Sequence, residues 1–162
     1  PSPTAEFDLV TCTHIYEHVP DAQRMMDEIH RVLRPGGFCF FAAENRLRVW
    51  DGHYNLPFVT VLPRPLADIY VRVTGRGQRR YETHRTLWGL ERLVRAFEVT
   101  DYTRAVVRDP EKFEATDMIL PRSGKQRFAN AILSTAYWAS PTYLWILRKP
   151  TGETADHADG RR

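Results

Sequence analysis

His14, Glu17 and His18 spell H-x-x-E-H, a set of side chains that can hold a zinc ion and activate water. That chemistry needs both histidines one helical turn apart on one face, with the glutamate poised over the metal-bound water. Here the motif leaves an apolar run directly and meets Pro20 two residues later, so a helix through it could run little further. No third-ligand helix follows. The plainer reading is a Glu-His pair hydrogen-bonded within a loop. No bound metal is expected, and His14, Glu17 and His18 are the candidates for one. Other reactive groups stand at the ends of apolar runs: Thr13 and His14 close the first, Glu44 and Asn45 the second. His53 and Tyr54 follow in DGHYNLP. His53 is the candidate general base should an acceptor have to lose a proton, and the alternative is an ordinary loop histidine.

The elements that must position these groups follow from periodicity. Residues 7–13 (FDLVTCT) are rich in β-formers without a turn residue, which predicts a central strand covered on both faces. Pro20 and Asp21 signal a helix start, and Met25, Met26, Ile29, Val32 and Leu33 recur on one helical face. Arg31 and Arg34 are expected in its last turn, with Pro35-Gly36-Gly37 as the stop. The run FCFFAA at 38–43 predicts a second strand, parallel to the first through a right-handed crossover. Segment 46–81, broken by Pro57, Pro63 and Pro65, predicts a lid with a short helix near 66–73. A helix at 86–97, a strand at 98–107, a helix at 128–138 and a last strand at 143–148 complete the order.

The chain has 162 residues, 43% of them hydrophobic and 27% charged, enough for one core and unlike disordered or fibrous sequences. Net charge is +3, and three of the 23 basic residues are lysine. The arginines are scattered, and the RGQRR cluster at 76–80 is short, so no nucleic-acid partner is expected. Cys12 and Cys39 lie in apolar runs as small hydrophobes, which fits a reducing, cytoplasmic setting. No stretch is long and apolar enough for a transmembrane segment. The polar end 151–162 (TGETADHADGRR) is read as a flexible tail. The first residue is Pro rather than Met, and with the opening on a strand this points to a fragment or a processed form.

That order, with FDLVTC, EHVPD, EIHRVLRPGG and YLWILRKP, resembles the carboxyl-terminal part of a class I S-adenosylmethionine-dependent methyltransferase of the small-molecule type. It is most similar to quinone-biosynthesis O-methyltransferases, over about residues 6–150. The resemblance implies an α/β fold: a partial Rossmann-like methyltransferase sheet, from the fourth strand of seven onward, with a lid insertion and a final antiparallel strand pair. The domain portion would be 1–150, the lid about 46–81. The family's glycine-rich loop has no counterpart here, since no G-x-G-x-G occurs, and the missing amino-terminal half of the domain is an expected partner.

In open α/β sheets ligands sit at the carboxyl ends of the strands. The resemblance accordingly makes Cys12, Thr13 and His14 the expected contacts of S-adenosyl-L-methionine, and Glu44, Asn45 and Tyr54 the substrate-side residues. In the resembling enzymes a divalent cation is held at positions matching His14, Glu17 and His18, with a carboxylate at the first. The implied function is methyl transfer to a small-molecule acceptor such as a quinone, lipid or lipid-linked sugar. Without the glycine-rich loop these 162 residues alone are expected to be inactive. The alternatives are a non-catalytic half-domain that pairs through its first strand with another chain and, more remotely, a zinc metallopeptidase.

Overall fold

A computed structural model describes residues 5–78 and 81–152. The tail expectation therefore lies outside the described residues beyond Gly152, and so do Arg79 and Arg80 of the arginine cluster. The fold is α/β. Strand β1 (Phe7–Thr13), helix α1 (Ala22–Val32) and strand β2 (Leu33–Glu44) form the expected parallel crossover, with Val10 opposite Cys39 and Cys12 opposite Phe41. β3 (Trp50–Asp51) and β4 (Leu56–Pro57) make a small antiparallel pair, followed by α2 (Arg64–Val73) and α3 (Leu87–Leu93). Then come β5 (Glu98–Asp101), α4 (Thr103–Arg108), α5 (Gly124–Thr135), a 3-10 turn at Tyr137–Ala139 and β6 (Thr142–Arg148). The main sheet runs β1-β2-β6-β5, and β6 is antiparallel to both neighbours.

α1 starts where Asp21 caps it, its carboxylate accepting from the Arg24 amide at 3.0 Å. Its buried face, Ala22 and Met26 with Met25 and Ile29 beside them, packs into the main core. The core faces one side of the sheet, where Cys39, Phe41 and Ala43 of β2 lie opposite Leu147, Trp145 and Tyr143 of β6. Leu87, Leu90 and Leu93 of α3 close over it. Truncating fully buried Met26 to Ala would cost about 2–5 kcal/mol.

Several expectations are corrected. α1 ends at Val32: Leu33 is extended and pairs with Phe7, and Arg34 reaches Asp8 through two bonds of 2.9 and 3.0 Å instead of closing a helical turn. The Gly-Gly turn therefore lies inside β2. Gly36 takes φ +79, and a Cβ on Gly37 would stand 3.0–3.1 Å from the carbonyl oxygens of Arg34, Asp8 and Phe7. β1 is not central among the described residues: β2 is its one neighbour, and Phe7 and Leu9 are 41% and 50% exposed. The strand expected at 98–107 stops at Asp101, because the Asp101 carboxylate accepts from the Thr103 amide at 2.8 Å and turns the chain into α4. The helix expected at 128–138 starts earlier, where Ser123 caps Gln126, and ends at Thr135. Segment 46–81 has a separate apolar cluster of Leu56, Val59, Ala67 and Val71.

Candidate active site

β1 and β2 run parallel, so their carboxyl ends, Thr13 and Glu44, emerge at the same edge of the sheet. At the end of β1 the His14 amide donates to the Ala42 carbonyl at 2.9 Å, and His14 turns left-handed at φ +52. Residues 14–20 then form turns rather than a helix. The H-x-x-E-H residues thus share no helical face, and the peptidase arrangement is not built. What the turns do is bring His14, Glu17 and Glu44 together, with one ligand atom from each within 4.8 Å of the others.

Glu44 is the centre of this cluster. Its Oε2 meets His84 Nε2 at 3.0 Å, pairs with the Arg48 guanidinium, and lies 4.0 Å from His53 Nε2. Its Oε1 faces His14 Nδ1 at 3.8 Å. Burial alone would raise the Glu44 pKa, but the bonds from His84 and Arg48 win and hold it at about 2. Glu44 is a carboxylate at any pH where the protein would work. Glu17 differs. It is 1% exposed, neither carboxylate oxygen has a hydrogen-bond partner among the described residues, and His14 Nδ1 stands 3.9 Å away. A buried carboxylate without bonds is costly unless a cation or proton joins it.

Three connections fix the cluster. The Tyr16 hydroxyl donates to the Glu44 carbonyl at 2.5 Å and accepts from the Arg85 amide at 3.0 Å. The Thr83 amide donates to the Glu17 carbonyl at 2.8 Å. The buried Asp51 carboxylate accepts from the amides of His53 and Tyr54 at 2.8 and 3.0 Å, which aims the His53 turn at Glu44. His53 itself stays partly open to solvent, and its ring meets that of His18 edge-on at 5.2 Å.

The family described as a methyltransferase domain matches residues 1–41. That quarter of the chain is similar to class I methyltransferase sequence. The ubiquinone biosynthesis O-methyltransferase of Coxiella burnetii is 48% identical over 40 residues, which are 25% of this chain and 17% of that protein. The enzyme of the same name from Pseudomonas syringae pv. tomato is 46% identical over 41 residues, 25% of this chain and 18% of that one. The chain thus matches less than a fifth of the length of these relatives. A solved S-adenosylmethionine dependent methyltransferase from Mesorhizobium loti is 19% identical, with a TM-score of 0.46, covering 90% of this chain and 63% of that one.

The segment that matches the methyltransferase-domain family supplies β1, the 14–20 turns and α1, and so Thr13, His14 and Glu17. Not every expected residue joins them. Cys12 is buried in the main core with its thiol pushed up to about 11 by burial, so its backbone alone reaches the strand end. Asn45 is 0% exposed, and its amide is committed to the carbonyls of Trp138 and Ser140, each at 2.8 Å, and to the Tyr143 hydroxyl. It braces β2 against the 138–143 turn, with its side-chain amide engaged inside the protein. The Tyr54 hydroxyl turns away from Glu44 to Glu82 Oε2 at 3.0 Å, and burial and that carboxylate push it up to about 12. His18 contributes a ring to His53 and no atom to the ligand cluster. Sequence reasoning missed His84, Arg48 and Tyr16. His84 comes from 40 residues beyond Glu44, in a stretch without a motif, and Arg48 is one of many scattered arginines.

Proposed function

We propose that this chain is part of an S-adenosylmethionine-dependent methyltransferase acting on a small-molecule acceptor, with the edge formed by Thr13, His14 and Glu44 as one wall of its reaction crevice. The observation that carries this reading is the methyltransferase-domain match at 1–41, which ends its first strand beside the buried carboxylate of Glu17 and the partly buried one of Glu44. The cofactor supplies an electrophilic methyl group on a sulfonium. Thr13, with its side chain exposed at the strand end, and the backbone at Cys12 and His14 would contact it. No glycine-rich loop occurs in these 162 residues, so the reading requires one from elsewhere in the protein.

An acceptor hydroxyl must lose its proton as the new bond to carbon forms, and an ammonium must lose one before it. His53 is the group placed to take it. Its imidazole is accessible, its backbone is held by Asp51, and its Nε2 lies 4.0 Å from the Glu44 carboxylate. The acceptor class proposed is a quinone, lipid or lipid-linked sugar, and both buried thiols fit a cytoplasmic location. Calorimetry with S-adenosylhomocysteine on the chain as given and on a form extended upstream tests the reading. The extended form should bind and the shorter one weakly or not at all; failure of the extended form to bind overturns it.

The unpartnered Glu17 carboxylate favours a second reading of the same edge: a divalent cation held by His14 Nδ1, Glu17 and Glu44 Oε1. Imidazole with two carboxylates suits manganese, zinc or ferrous ion better than magnesium. This reading takes Glu44 in place of His18 in the expected ligand set, because its carboxylate is the one near His14 and Glu17. Equilibrium dialysis against manganese or zinc should load one ion in the natural protein and none in Glu17→Gln, and equal loading of both sinks this reading.

A further inference from the structure

The core face of the sheet is not covered as far as its outer strand. α3 has seven residues, about 10 Å of helix, and beside it Val99 of β5, which pairs with Leu147, is left 46% exposed. A pocket of about 230 Å3 opens between α3 and β5. Its walls are apolar, with Leu87 and Val94 on the helix side and Phe97 and Val99 on the strand side. Trp145 of β6 forms the floor at 3% exposure, and its indole Nε1 has no hydrogen-bond partner among the described residues. Buried indole N–H groups ordinarily find an acceptor. The Tyr137 hydroxyl stands beside this one without closing a bond of ordinary geometry, and donates its own proton to the Asp101 carboxylate. Arg104 stacks over the Tyr137 ring at 4.6 Å and holds it in place. Tyr137 and Asp101 line the same pocket, so the free N–H is aimed into it.

The mouth carries exposed charges of both signs. Asp101 is engaged, accepting from Tyr137 and from the Thr103 amide. Glu91 of α3 and Arg95 just beyond it are in no ion pair among the described residues, although four residues separate them. The pocket thus offers a donor at its floor, an apolar middle, and a carboxylate and a guanidinium at its rim. We propose that it binds a free aromatic α-amino acid with a hydroxylated ring. The ring would lie among Val94, Phe97 and Trp145, its oxygen accepting from Trp145 Nε1, with the carboxylate at Arg95 and the ammonium at Glu91. A plain hydrocarbon would leave the buried N–H unbonded. A simple anion would meet Glu91 and Asp101, and a simple cation would meet Arg95. The volume is below that of sites for drug-sized ligands, which suits a single ring. None of these residues belongs to the cluster of His14, Glu17 and Glu44, so the site is separate from the methyl-transfer edge.

Equilibrium dialysis of the full chain against radiolabelled L-tyrosine tests this without cofactor or acceptor, so its failure leaves the methyl-transfer reading standing. One tyrosine should bind, with a Kd of about 1 mM or lower. Its binding should shift the indole N–H resonance of Trp145 and leave those of Trp50 and Trp88 in place. That resonance is assigned by elimination through Trp50→Phe, Trp88→Phe and Trp138→Phe, all at exposed positions. Phenylalanine, without the hydroxyl, should bind about ten-fold more weakly. Tyramine lacks the carboxylate and hydroxyphenylpropionate the ammonium, and each should lose at least about five-fold. Glu91→Gln and Arg95→Gln should lose a similar factor for tyrosine, whereas Arg95→Gln should bind tyramine as the parent chain does. Glu17→Gln should take up tyrosine like the parent. The proposal is overturned if the parent chain takes up no tyrosine at the solubility limit, or if the Trp145 resonance stays in place. Phenylalanine binding as tightly as tyrosine overturns it too, as do rim variants of unchanged circular dichroism that bind like the parent, or loss of tyrosine in Glu17→Gln.

Discussion

Replacing Glu44 by Gln removes one negative charge and almost no volume, and leaves the backbone carbonyl that accepts from Tyr16 in place. What it takes away is the partner of His84, whose side chain is fully buried, and of Arg48, which is nearly so. The folded carboxylate has a pKa of about 2 against an ordinary 4.5. At about 1.4 kcal/mol per pH unit that displacement has a ceiling of roughly 3 kcal/mol. Solvent at the rim screens it, leaving about 1–2 kcal/mol. The folded value is the lower one, so this stabilisation is complete above about pH 4.5 and is lost as the pH falls towards 2. Urea unfolding of both proteins from neutrality down to about pH 2 is the assay. Glu44→Gln should be less stable by about 1–2 kcal/mol at neutrality, with the gap closing in that acid window, because a protonated glutamate is nearly a glutamine. Equal stability at neutrality, or a gap that persists at the acid end, would refute the electrostatic account of this cluster.

Asn45→Ala should cost about 2–3 kcal/mol in urea unfolding, because it strips the amide from two carbonyls and a phenol at a fully buried site. Gly37→Ala should lower stability by about 1–3 kcal/mol, read as a fall in the thermal midpoint, since three backbone carbonyls leave no room for a methyl group. Manganese or zinc should raise the thermal midpoint of the natural protein and not that of Glu17→Gln, which without metal should be as stable as the parent or more so, having lost an unbonded buried charge.

Elements whose signal is local were legible. The Met25, Met26 and Ile29 spacing marked α1, and alternate burial of Tyr143, Trp145 and Leu147 bears out the last strand. Boundaries decided by a partner elsewhere were not. Leu33 leaves the helix because β1 offers a backbone to pair with, and Val106 and Val107 read as strand until the Asp101 carboxylate turns the chain. At the site, Thr13, His14 and Glu44 could be placed because strand ends can be placed. His84 could not, since nothing within its own stretch says that it will be buried against a glutamate 40 residues earlier. Asn45 was misread for a related reason: a polar residue at a strand end looks the same in sequence whether it faces a ligand or three backbone and side-chain acceptors.

The Tyr16 phenol bonds both to the end of β2 and to the chain where it returns at Arg85, and the Arg46 amide meets the Arg85 carbonyl at 2.9 Å between them. Everything from 46 to 81 therefore leaves and re-enters the molecule through one stapled doorway. Beyond that doorway the sheet has no stake in how many residues the excursion contains, and doubling its length would cost only about 0.6 kcal/mol of closure entropy. Evolution can lengthen or shorten this piece beyond Tyr54, altering what the protein meets outside while Arg48 and His53 keep their places against Glu44.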